Sequence, residues 1–139
     1  MSTEDHKAKF RRVVEEAWNK GNMAVLNEVI APNYVFHTPV GEFKGPEGLA
    51  QAAKMYRTAL PDMHLTIDEI VAEGESLAAR FTLTGTFTGE LMGIAPTGKR
   101  CTVTGALFNH YVDGKEVEAV SFMDQLSMFQ QLGIKPPVE

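Results

Sequence analysis

The hydrophobic rhythm of this 139-residue chain changes once, near residue 63, and that change limits what it can fold into. Before it the spacing is helical. Phe10, Val13, Val14, Ala17 and Trp18 fall at i, i+3, i+4, i+7 and i+8, the apolar face of a helix that Gly21 is placed to end. A short second helix carries Met23, Leu26, Val29 and Ile30 and stops before Pro32. A third opens with Pro46 in its first turn, sets Leu49, Ala53, Tyr56 and Leu60 on one side, and ends at Pro61. Between these two, NYVFHTPVGEF reads as a short strand and a loop. From residue 63 the period is two. Strands are predicted near 63–72, 77–88, 100–112 and 115–125, joined by EGES, by GELMGIAPTGK and by DG. Helices followed by strands predict an α+β fold, with the helices on one face of an antiparallel sheet. Residues 1–139 read as a single domain, without repeats and with a loose tail, GIKPPVE.

Composition excludes several function classes. A net charge of −5, with Arg11 and Arg12 beside Glu15 and Glu16, leaves no basic cluster for nucleic acid or an anionic membrane. The start, MSTEDHKAKF, lacks an apolar signal core, and no segment reaches the ~20 apolar residues that span a bilayer. One cysteine, Cys101, cannot form an internal disulfide, so a reducing cytoplasm is the expected compartment. His6, His37, His64 and His110 are scattered without metal-ligand spacing, and neither a glycine-rich phosphate loop nor a GxSxG elbow occurs. No metal or cofactor is expected.

Parity sorts the strands into faces. Odd positions include Ala79, Phe81, Leu83, Val103, Leu107, Asn109, Tyr111, Ala119, Ser121 and Met123; even ones include Arg80, His110, Glu116, Glu118 and Asp124. The odd set is more apolar and is expected to face the helices. A three-residue loop, Asp113-Gly114-Lys115, keeps this parity across the last hairpin and sets His110 opposite Glu118. The alternative, a two-residue Asp-Gly turn, shifts one strand and mixes the faces. On the first register Asp124 lies on the outer face as scaffold. Turned inward, it would be a buried carboxyl with a raised pKa, suited to acid/base work.

Several stretches resemble the SnoaL-like polyketide cyclase family of the nuclear-transport-factor-2-like superfold. They are EEAWNKGNMAVLNEVIAPNYVFH, LPDMHLTIDEIVAEGESLAARFTLTGTFTGE, GIAPTGK, DGKEVE and DQLSMFQQLG, in this order and over nearly the whole chain. The resemblance implies a cone-shaped α+β barrel, a strongly curved and mostly antiparallel sheet closed at one end by three N-terminal helices around an apolar pocket. It also implies cofactor-free ring closure by intramolecular aldol condensation. In that chemistry an inward aspartate on the last strand is assisted by an inward histidine on the strand before. Here those positions are Ser121 and Leu107, a glutamine often found two residues earlier is Gly105, and the histidine of a GTHTG-like stretch is Phe87. A serine without a base beside it cannot replace a carboxylate.

The catalytic candidates are therefore His37, which matches a family histidine in a YVxHxP-like context, and Asp124 if it turns inward. Trp18, Tyr34, Tyr56, Phe87, Leu107, Asn109, Ser121 and Met123 are the expected ligand-binding residues, with Asn109 and Tyr111 able to hold a ligand oxygen. Phe108, Val120 and Phe122 on the outer face suggest subunit contact, and relatives with this fold commonly associate, so a homodimer or higher homo-oligomer is expected. The expected function is cyclisation or isomerisation of a small, apolar carbonyl compound. A non-catalytic small-molecule-binding protein and an oligomeric interaction module are the alternatives.

Overall fold

The computed structural model describes residues 2–135; the end of the tail expected to be loose lies outside them. Helix α1 spans Thr3–Val13 and starts on a reciprocal cap: the Ser2 hydroxyl accepts from the Asp5 amide, and the Asp5 carboxylate accepts from the Ser2 amide. It continues through Val14–Asn19 as a π-helical stretch. Such a stretch leaves carbonyls short of partners at its end. Arg57 supplies them, donating to the backbone oxygens of Trp18 at 2.9 Å and Asn19 at 2.8 Å.

A 3₁₀ turn, Met23–Val25, leads into the single turn α2, Leu26–Val29. Ile30 already belongs to β1, Ile30–Thr38, which turns back as β2, Gly41–Lys44. The segment read as a strand and a loop is thus a hairpin. Helix α3, Gly45–Ala59, has proline in its first turn. Strands β3 (His64–Glu73), β4 (Ser76–Thr86), β5 (Arg100–Val112) and β6 (Lys115–Met123) lie close to their predicted spans. A fourth helix, α4, Gln125–Leu132, is the last element among the described residues and stops at Gly133, whose φ of 74° is left-handed.

The sheet has six strands in the order β2-β1-β6-β5-β4-β3, antiparallel except where β1 runs parallel to β6. This corrects the expected cone-shaped barrel. The sheet is open and not strongly curved, with β2 and β3 as unjoined edges. Closure would need a hydrogen-bonded ladder between those edges. β2 offers only four residues for one, and the interior that closure would enclose is occupied by helices, with α1 against β3 and α3 against β1.

Parity holds for β4 and β5: Leu77, Ala79, Phe81 and Leu83, then Cys101, Val103, Asn109 and Tyr111, are buried against the helices. It breaks in β6. Val112 pairs with Lys115, so the turn is the two-residue Asp113-Gly114, with φ of 51° and 80°, and not the three-residue loop. Tyr111 then pairs with Glu116, but His110 pairs with Glu118. A β-bulge at Val117 absorbs the extra residue. Beyond the bulge the expected register holds; before it, Glu116 is turned inward instead of outward.

Candidate functional site

The helices and the inner face of the sheet enclose a pocket. Seven of the eight expected ligand-binding residues line it: Trp18, Tyr34, Tyr56, Leu107, Asn109, Ser121 and Met123. Phe87 does not. It is fully buried with Leu60, Leu91 and Met128 in a separate part of the core, where Gly98 and Lys99 pair with its backbone.

Leu107, Asn109, Glu116, Ala119, Ser121 and Met123 of β5 and β6 form the floor, in layers set by the strand pairing. Leu107 faces Ser121 and Asn109 faces Ala119, while Met123 and Glu116 pair with Gly105 and Tyr111, which stand outside the lining. Burial grades along this floor. Met123 and Ser121 are half-buried, as is Thr38 beside exposed Pro39 in the β1–β2 turn. Asn109, Glu116, Tyr34 and Tyr111 are 4%, 3%, 1% and 0% exposed. The mouth therefore lies near Thr38 and Met123, and the closed end near Glu116. Over that end α1 is tied down, the Lys9 ammonium donating to the Gly114 carbonyl and the His6 ring stacking on Tyr111 at 4.4 Å.

Neither catalytic candidate lies in the pocket wall. In β1 it is Tyr34, Phe36 and Thr38 that point inward, so alternation sends His37 to the outer face. There its Nδ1 is 2.8 Å from a Glu42 carboxylate oxygen and its Nε2 is 3.2 Å from one of Glu118. Asp124 lies just past β6, exposed, and caps α4 by accepting from the Ser127 amide at 3.2 Å.

The carboxyl that does face the pocket is Glu116. Burial disfavours its charged form and pushes its pKa up to about 8, against hydrogen bonding from Tyr34, Tyr111 and Asn109 that favours ionisation. The Tyr111 hydroxyl lies 3.4 Å from Glu116 Oε1 and 3.4 Å from the His6 carbonyl oxygen. Both tyrosines are held above the ordinary phenol range, first by burial and then by the Glu116 charge. Asn109 Oδ1 has no hydrogen-bond partner among the described residues. Nor do those residues contain a group of three or more His, Cys, Asp or Glu side chains placed to hold a metal ion.

Sequence reasoning missed Glu116 because strict alternation from Glu118 puts residue 116 outside. The signal that could have found it is the Asp-Gly dipeptide. Asp-Gly favours a two-residue turn, and that turn sets Glu116 opposite inward Tyr111.

Comparison with known proteins agrees with this architecture. The aklanonic acid methyl ester cyclase DnrD of Streptomyces peucetius is 32% identical over 129 residues, covering 88% of this chain and 87% of DnrD. The cyclase of the same name from Streptomyces sp. (strain C5), DauD, is 31% identical over 129 residues, covering 88% of this chain and 78% of DauD. Among solved structures, TsrD of Streptomyces laurentii is similar with a TM-score of 0.87 at 26% identity, over 97% of this chain and 99% of TsrD. AclR of Streptomyces galilaeus gives a TM-score of 0.83 at 29% identity, over 97% of this chain and 100% of AclR. The profile of the SnoaL-like polyketide cyclases matches residues 8–132, from within α1 to the last residue of α4 and through every strand, and the chain belongs to that family.

Proposed function

We propose that this protein binds a small, largely apolar carbonyl compound in its pocket and catalyses cyclisation or isomerisation by proton transfer, without a cofactor. The observation that carries the reading is the distribution of polarity in the pocket. Its walls are aromatic and aliphatic, and Tyr34, Asn109 and Glu116 gather at the closed end. Apolar walls supply affinity through removed surface, and a few converging polar groups fix orientation. The names of the cyclases DnrD and DauD support the choice of ring closure, and the aldol route that the resemblance implies begins with loss of a proton beside a carbonyl.

The reading includes self-association through the outer face of the sheet. Phe108 and Phe122 are 55% and 57% exposed there and meet edge to face at 6.4 Å.

The test is incubation with aklanonic acid methyl ester, with ring closure followed chromatographically, beside a panel of simple ketones in heavy water scored for deuterium uptake next to the carbonyl. Catalysis of either supports the reading. A chain that is thermally stabilised by such compounds but catalyses neither is a binding protein, and the catalytic reading falls.

A further inference from the structure

Among the described residues Glu116 is the only Asp, Glu, Lys or Arg that is buried. A buried carboxyl is paired with a cation or else keeps its proton through a raised pKa, because an unpaired buried charge is costly. The side chains that reach Glu116, those of Tyr34, Tyr111 and Asn109, are all neutral. The chain nevertheless spends a bulge, two left-handed turn residues and the tie from Lys9 to Gly114 on the hairpin that turns this carboxyl inward. Nearer the mouth, Ser121 faces Leu107 across the strands, and among the described residues that line the pocket Glu116 is the only Asp, Glu or His.

We propose that Glu116 is the catalytic acid/base of this pocket, and that the substrate carries its enolisable carbonyl at the leading end of an apolar body. The assignment rests on the proton-transfer reading above. The carboxylate takes the proton from the carbon next to the carbonyl, and the C–H electron pair becomes the enolate. In ring closure the enolate carbon bonds to a second carbonyl carbon of the same molecule, whose π electrons move to its oxygen, and that oxygen takes the proton back from Glu116. In isomerisation the proton returns to another carbon. Atoms and charge balance, and nothing is oxidised or reduced.

The substrate class follows from depth. Four strand steps, the bulged residue not counted, separate Glu116 from Ser121, which places the carboxyl about 13 Å along β6 toward the closed end. A carbonyl in the middle of a long apolar body would stop short of it. Asn109, whose side-chain amide carries a second N–H besides the one toward Glu116, stands beside the carboxyl as the donor to the enolate oxygen.

The test uses two isomeric ketones, methyl heptyl ketone and dibutyl ketone, with the carbonyl next to the chain end or at its centre, each rate being taken relative to the uncatalysed exchange of the same ketone. Deuterium uptake from heavy water is measured for the wild type, Glu116→Gln, Glu116→Asp and Ser121→Ala. The expected result is exchange on methyl heptyl ketone at least about tenfold faster than on dibutyl ketone. Glu116→Gln should cost about 100-fold or more, Glu116→Asp should restore part of the rate, and Ser121→Ala should change it little. The wild-type rate should rise through about pH 8, the range in which Glu116 ionises, and the rise should be absent from Glu116→Gln. A folded Glu116→Gln that exchanges like wild type overturns the assignment and leaves the proton-transfer reading standing. Equal rates on the two ketones overturn the substrate class. A wild type that exchanges neither ketone but closes the ring of aklanonic acid methyl ester overturns the substrate class and leaves the proton-transfer reading standing, and one that catalyses none of these reactions overturns both.

Discussion

At the scale of the residue, Glu116 makes the protein sensitive to pH. Its pKa is about 8 in the folded chain against 4.5 for an unperturbed glutamate. Below pH 4.5 the carboxyl is protonated whether or not the chain is folded. Between the two values the unfolded chain releases a proton that the folded chain keeps, so stability falls as pH rises, by about 1.4 kcal/mol per pH unit at most. Above the folded pKa the loss is complete. Glu116→Gln removes this slope. Urea unfolding from acid to mildly alkaline pH should show the variant gaining on wild type and levelling above pH 8; parallel curves would mean that the carboxyl is not desolvated. Gly105 offers a second test, because a Cβ there would lie 2.5 Å from Phe81 Cζ and 2.5 Å from the Phe122 backbone oxygen. Gly105→Ala is expected to cost about 1–3 kcal/mol. Phe81→Leu in the same chain should recover part of it, so a double-mutant cycle reads a favourable coupling.

Among the elements, the end of the first helix is the most constrained. Asn19 closes the π-helical stretch and clasps β3, accepting from the Leu65 amide at 2.7 Å and donating to the Leu65 carbonyl at 3.0 Å. Asn19→Ala leaves a half-buried amide without its acceptor and should cost about 2 kcal/mol. The neighbouring Trp18, the only tryptophan in the chain, lines the pocket and should report the loosening as a red-shifted emission. An unchanged spectrum with unchanged stability would show that Arg57 alone holds the stretch. The β5–β6 hairpin shows a different economy. Turn chemistry settles its tip and face polarity settles its body, and the two disagree by one residue, which Val117 takes up. Glu116 faces inward because it lies on the turn side of that mismatch.

The whole molecule has two exposed features that point to association, the apolar patch around Phe108 and Phe122 and the open edges of the sheet. Self-association through the patch is the expected behaviour. Phe108→Arg together with Phe122→Arg should lower the sedimentation-derived mass to that of a single 15.3 kDa chain while leaving the pocket intact. A wild type that already sediments as a single chain would remove the patch from consideration. No helix among the described residues is long and apolar enough to cross a membrane.

The sequence by itself determined the order and extent of most elements, the α+β class, the inward parity of β4 and β5 and most of the pocket wall. These follow from local rules: helical and strand periods are set by backbone geometry, and Gly or Pro punctuates them wherever they occur. Tertiary structure decided the rest. His37 and Phe87 are placed by which face of a strand or loop meets the helices, which no short window of sequence states. Whether six strands close into a barrel depends on what fills their concave side, and here α1 and α3 do. The inward turn of Glu116 came from a bulge, a compromise between a turn at one end of a hairpin and a packed face at the other. Each half of that compromise is legible alone, but their conflict is resolved only when both strands are packed against the helices.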